Sequence, residues 1–214
     1  MTTTAHAAVF SWDASFPNFS DIVGANSNRS QSGTADIATL NWGFPTSRNP
    51  GLNSGYKMNA LDGTLNIDPG QTLEFIFGVF THSNWDINGT TANGLALDST
   101  KLSFNLTLNG LLFTPIFNID HTETLNNYAN FPACCNDLVK SNSIDLGSFV
   151  QDGLKYAVTL AAIDMNNREQ TNSAMQWKGK VTLEEVAPIP IPAAAPLFAA
   201  GLAGLGYMSR RRKV

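Results

Sequence analysis

Between Leu102 and Leu108 every second side chain is apolar, and Ser103, Asn105 and Thr107 between them are polar. Successive side chains leave a strand on opposite faces, so this period of two marks a half-buried β-strand. Met175–Leu183 repeats it. Residues 175, 177, 181 and 183 share an apolar face with Gly179, and Gln176, Lys178, Lys180 and Thr182 form the polar one. Thr72–Thr81 is apolar on both faces, as a central strand requires.

Further strands are expected at 111–119 and 155–163, with Pro115 marking an edge or a bulge, and at 8–12, 34–42, 56–61, 64–67 and 143–150. Asp62-Gly63, Asn88-Gly89, Asn93-Gly94, Asn109-Gly110 and Asp152-Gly153 punctuate them. Asn109-Gly110 is the best hairpin signal, because a type I′ turn needs positive φ at both central residues. No stretch before residue 187 sustains a helical period. Short strands with frequent turns predict an all-β fold, an antiparallel β-sandwich of jelly-roll-like form over residues 8–186. Thirteen Phe and four Trp are ample material for its core.

Charge narrows the function classes. All seventeen acidic residues lie between Asp13 and Glu185, whereas four of the thirteen basic ones form the run 210–213. The rest of the chain carries a net charge of −8. Such a body repels phosphate backbones, so no nucleic-acid partner is expected.

The last 28 residues contain no acid. Pro188, Pro190, Pro192 and Pro196 make an extended lead-in, since each fixes φ and removes a backbone donor. Residues 193–208 are apolar for 16 residues, spanning about 24 Å of a roughly 30 Å hydrocarbon core. They are expected to form a hydrophobic transmembrane helix. Residues 209–214, with Arg210, Arg211, Arg212 and Lys213, form a basic tail that stays cytoplasmic by the positive-inside rule.

This layout of proline motif (187–192), Ala/Leu/Gly helix and Arg/Lys cluster resembles the PEP-CTERM group of bacterial sorting signals. The closest variant has a Val-Pro-Leu-Pro-Ala core, where this chain has Ala187-Pro188-Ile189-Pro190 and Ile191-Pro192-Ala193. The resemblance implies an exosortase-type membrane peptidase as partner and removal of the tail. It also implies an inner-membrane intermediate and delivery to the surface or exopolysaccharide matrix of a Gram-negative bacterium. At the other end, Ala5-His6-Ala7 before Ala8 has the small-x-small pattern of a signal-peptidase site. Residues 1–7 are therefore expected to be a signal-peptide remnant, with the true start upstream.

The body carries a second resemblance. Leu40-Asn41-Trp42-Gly43-Phe44-Pro45 precedes Gly78-Val-Phe-Thr-His82-Ser-Asn84-Trp85-Asp86-Ile87, then Phe117-Asn-Ile-Asp-His121-Thr-Glu-Thr and Cys134-Cys135-Asn136-Asp137. In this order, over residues 33–165, they look like the choice-of-anchor K domain, a bacterial surface domain attached through differing C-terminal signals. That resemblance implies a context and no mechanism.

The candidate chemistry is sparse. His82 and His121 each follow a β segment and could meet in space, with Asp86 or Asp120 as a third ligand. No His-x-x-x-His or Cys-x-x-Cys spacing accompanies them, and metal sites need three or four converging ligands. The expectation is therefore histidines that orient a loop through hydrogen bonds, with no metal and no cofactor. Calcium is the one ion a loop could take, through Asp86 and Asn88, although Leu97 stands where an EF-hand needs Glu. Trp85, flanked by Asn84 and near His82, is the aromatic expected at the surface, where such a face could stack on a sugar. Trp42 and Trp177 are expected to be structural. Cys134 and Cys135 are adjacent, and export to an oxidising compartment slightly favours a vicinal disulfide, against two buried thiols or an intermolecular bridge. No Gly-x-Ser-x-Gly motif occurs and no carboxylates are paired, so an enzyme is not expected.

The sequence thus points to an exported, non-enzymatic surface or matrix protein. A carbohydrate- or calcium-dependent binding module is the alternative, and an enzyme stands third.

Overall fold

The alternation read from the sequence becomes antiparallel pairing in the computed structural model, which describes residues 7–25, 29–45, 47, 50–85, 87–88, 96–124, 136–168 and 170–184. The strands in chain order are β1 (Ala8–Gly24), β2 (Ser30–Gly33), β3 (Ile37–Trp42), β4 (Phe44–Pro45), β5 (Ser54–Ala60), β6 (Asp62–Ile67), β7 (Thr72–Asn84) and β8 (Ile87–Asn88). They continue with β9 (Leu97–Leu108), β10 (Leu111–Phe113), β11 (Ile116–Thr122), β12 (Asn136–Ser141), β13 (Ile144–Gln151), β14 (Leu154–Leu160), β15 (Asp164–Arg168) and β16 (Thr171–Leu183). One seven-stranded sheet runs β15-β12-β11-β9-β1-β6, with β10 also on β9. The other runs β13-β14-β16-β7-β5-β3-β2, and β4 and β8 form a separate pair. Among the described residues no helix is long and apolar enough to cross a membrane.

The inner faces of the two sheets make one core. Trp177 of β16 lies 4.2 Å, centroid to centroid, from Phe117 of β11 and 5.3 Å from Phe77 of β7. Phe104 of β9 stacks on Phe117 at 6.1 Å. Every inward position expected in 102–108 and 175–183 faces this core, Met175 being only half-buried. Asn109 and Gly110 take φ of 46° and 83° and join Leu108 directly to Leu111, the expected two-residue hairpin. Pro115 does interrupt its segment, separating β10 from β11. The expected Asp62-Gly63 turn is instead the start of β6, where Gly63 pairs with Trp12 under the indole ring.

β7 is more than the uniformly apolar strand its sequence suggests. Trp177 pairs with Gly78, but the next residue, Lys178, pairs with Ile76, so Phe77 is an extra residue on β7. Such a bulge reverses which parity faces inward. Phe75 and Phe77 are buried before it, and Phe80, His82 and Asn84 after it. Without the bulge His82 would face outward. Gly78 is needed at this point, because a Cβ there would collide with the Met58 side chain and lie 2.9 Å from the Asn59 carbonyl oxygen. Gly78→Ala is expected to cost about 1–3 kcal/mol, as overpacked cores do. It should lower the urea midpoint, and an unchanged midpoint would contradict this packing.

Candidate metal centre

Both histidines named from the sequence lie inside the sandwich, on strands and not on an orienting loop. β7 delivers His82 beyond the bulge. β11 delivers His121 in phase with buried Phe117 and Ile119, and the same parity continues to Glu123 just past the strand. β12 delivers Asp137 across from Asn167 of β15. Asp137 is fully buried while its neighbour Leu138 is 36% exposed, the reverse of the order that hydrophobicity favours.

These side chains converge from both sheets. The ligand atoms of His82, His121 and Asp137 all lie within 4.8 Å of one another. Asp137 Oδ2 is 3.6 Å from His121 Nε2 and 3.9 Å from His82 Nε2. Glu123 Oε2 is 3.2 Å from His121 Nε2. The other ends of two ligands are held. His121 Nδ1 is 2.6 Å from the Tyr56 hydroxyl. Asp137 Oδ1 accepts from the Thr124 backbone N–H at 3.0 Å and from its hydroxyl at 3.4 Å. Trp42 roofs the cluster, stacked on His82 at 6.2 Å and edge-on to His121 at 5.3 Å. Beside it, the Asn84 amide donates to the Asn167 carbonyl oxygen and the Asn167 amide to the His82 carbonyl oxygen, both at 3.1 Å, stitching β7 to β15.

Burial dominates the electrostatics. It holds His82 well below its ordinary range, with the neighbouring His121 adding to the effect. Burial also takes His121 down to about 4, against the opposing pull of Asp137 and Asp98. Asp137 rises to about 7, through burial and then the Glu123 charge, against the opposing effects of His121 and Thr124. Tyr56 is raised well above its ordinary range, first by burial and then by Asp137. The imidazoles are therefore neutral near pH 7 and their contacts with carboxylates are not ion pairs. Among the described residues, Asp137 Oδ2 and both His82 ring nitrogens have no hydrogen-bond partner. Each such buried polar atom costs about 1–3 kcal/mol. Neutral imidazole lone pairs facing carboxylate oxygens are the donor set of a divalent transition ion.

These shifts predict a stability profile for chelator-treated protein. The imidazole contributions are full above pH 6.5 and are lost as pH falls, for His121 through about 4. The Asp137 contribution is full below 3.8 and is lost as pH rises through about 7. Below pH 6.5 the two imidazoles oppose the one carboxyl and outweigh it, so unfolding takes up protons and stability rises with pH. Above that pH only the carboxyl remains, and stability falls. Thermal melts should peak near pH 6.5, and a Tm flat from pH 5 to 8 would contradict the assignment.

The structure brings together the two histidines that the sequence paired, but not Asp120. Asp120 is exposed on the far face of β11, one residue out of phase with His121. Asp86 lies outside the described residues, as do Ala5, Cys134, Cys135, the proline motif and the basic run; of Asn88 only the backbone is described. Ala7 is exposed. The surface grouping of Trp85, His82 and Asn84 does not form. His82 and Asn84 are fully buried, and Trp85 is half-buried, its backbone exchanging hydrogen bonds with Ser54 Oγ at 2.9 and 3.1 Å. Sequence reasoning missed Asp137, Glu123 and Tyr56. The parity of 117, 119, 121 and 123 was a usable signal for Glu123, whereas nothing in the chain marked Asp137 as inward.

The chain matches no protein-family model and no curated protein.

Proposed function

We propose that this chain is an exported, non-enzymatic protein of the bacterial cell surface or exopolysaccharide matrix, sorted through its C-terminal segment. One observation carries the reading. Residues 187–214 combine a proline motif, 16 apolar residues and a terminal Arg/Lys cluster with no acid. This reading takes 193–208 as a hydrophobic helix handed to an exosortase-type peptidase, and the body as a jelly-roll-like sandwich of the choice-of-anchor K kind. The acidic body agrees with a life outside the cell, and a dense aromatic core suits a passive, durable domain. The burial of His82, His121 and Asp137 keeps the clustered titratable groups away from any macromolecular substrate. The same burial withdraws His82 and Asn84 from the sugar-binding alternative.

The test is the intact mass of the native protein recovered from cells and from culture matrix. The expected mass is that of a chain starting at Ala8 and ending near the proline motif. A mass that retains residues 193–214 would contradict tail removal and leave a membrane-anchored protein.

A further inference from the structure

Beyond this reading of export, we propose that His82, His121 and Asp137 bind one tetrahedral first-row divalent ion of the zinc type, its fourth position open to water. The ion would clip β7 of one sheet to β11 and β12 of the other.

Tyr56 occupies His121 Nδ1 and Thr124 occupies Asp137 Oδ1, while His121 Nε2, in contact with Glu123, and Asp137 Oδ2 lie 3.6 Å apart. His82 Nε2 approaches from the opposite sheet, fully buried and without a hydrogen-bond partner among the described residues. A ligand whose far end is fixed by a hydrogen bond is the usual construction of a metal site. When Nε2 of His121 holds an ion, its Nδ1–H donates to the Tyr56 oxygen. The ion accounts for His82 Nε2 and Asp137 Oδ2; it leaves His82 Nδ1 as found.

Spacing and chemistry choose the ion. Zinc bonds of about 2.0–2.2 Å place tetrahedral donors about 3.3–3.6 Å apart. The Asp137 oxygen lies 3.6 and 3.9 Å from the two imidazole nitrogens. Octahedral magnesium needs neighbouring donors about 3.0 Å apart and keeps several waters. Calcium takes six to eight oxygens, and two imidazoles do not suit it. Two neutral imidazoles and one carboxylate reduce the charge of a divalent ion to +1, and the Glu123 carboxylate beside His121 offsets more of it, which lowers the desolvation cost.

The test uses the full-length chain, stripped with chelator and titrated with cobalt(II) and then zinc(II). One equivalent of cobalt should bind with the intense visible bands of a tetrahedral nitrogen and oxygen site, and zinc should displace it. His82→Gln and Asp137→Asn should each weaken binding at least 100-fold. Tyr56→Phe, which frees the His121 ring, should weaken it about tenfold. The double variant Cys134→Ser/Cys135→Ser should bind as the parent does. Three results would overturn the proposal: no binding by the parent, binding lost with the cysteines, or undiminished binding in both His82→Gln and Asp137→Asn. Should those two variants fail to fold, X-ray absorption of the zinc-loaded parent decides. Two imidazoles with oxygen neighbours are expected, and sulfur or absent imidazole would overturn the assignment.

Discussion

Trp177→Ala should destabilise the protein by about 3–5 kcal/mol, the range for deleting a large buried aromatic side chain. In a domain of this size that lowers Tm by about 6–20 °C. The magnitude follows from position. Trp177 is fully buried on β16 and packs against Phe117 and Phe104 of the opposite sheet and against Phe77 and Phe80 of its own. Its loss removes contacts between the two layers and leaves a void that extended strands cannot collapse to fill. Its indole N–H donates to the Ala161 carbonyl oxygen at 2.7 Å, and Ala161 is exposed, so water replaces that bond at small cost. Trp177→Phe should therefore recover most of the loss. Equal destabilisation by Phe and Ala would place the energy in the hydrogen bond and contradict the packing account.

The second large effect is stabilisation by zinc. An ion that binds only the folded chain stabilises it by about 2.7 kcal/mol at one hundred times its Kd. That corresponds to a Tm rise of about 5–11 °C. Chelator should reverse the rise, and Asp137→Asn should abolish it. The sign is unambiguous, because the donors belong to β7, β11 and β12 and separate when the sheets part. The gain should grow with pH between 6 and 8, since the ion displaces the proton that burial keeps on Asp137 until about pH 7. A zinc-independent Tm in the parent would mean that the cluster is only a buried polar network.

Much of the fold was legible because the strands obey the period-two rule. Leu102–Leu108 and Met175–Leu183 do so without exception, and two glycine turns sit where hairpins need positive φ, at Asn109-Gly110 and Asp152-Gly153. Near the candidate site, β12 and β15 had no counterpart among the expected strands, and β7 and β11 were expected without their full extent. β12 turns Asp137 inward and Leu138 outward, so its pattern reads backwards. β15 buries Asn167 and has little hydrophobicity to show. β7 changes phase at a bulge, and no local periodicity assigns His82 to the core. His121 was placeable, because it continues the parity of Phe117 and Ile119, and that parity alone excluded Asp120. Local rules fail here because long-range pairing, and not side-chain hydrophobicity, decides which way these residues point. Departures of this kind gather where a chain holds chemistry against its own stability.

The most direct test of the central claim is an anomalous difference map from crystals of the zinc-loaded chain, recorded on both sides of the zinc absorption edge. The account predicts one strong peak between the sheets, within about 2.0–2.2 Å of His82 Nε2, His121 Nε2 and Asp137 Oδ2. Electron density there without an anomalous signal, or a zinc peak only elsewhere on the chain, would contradict it.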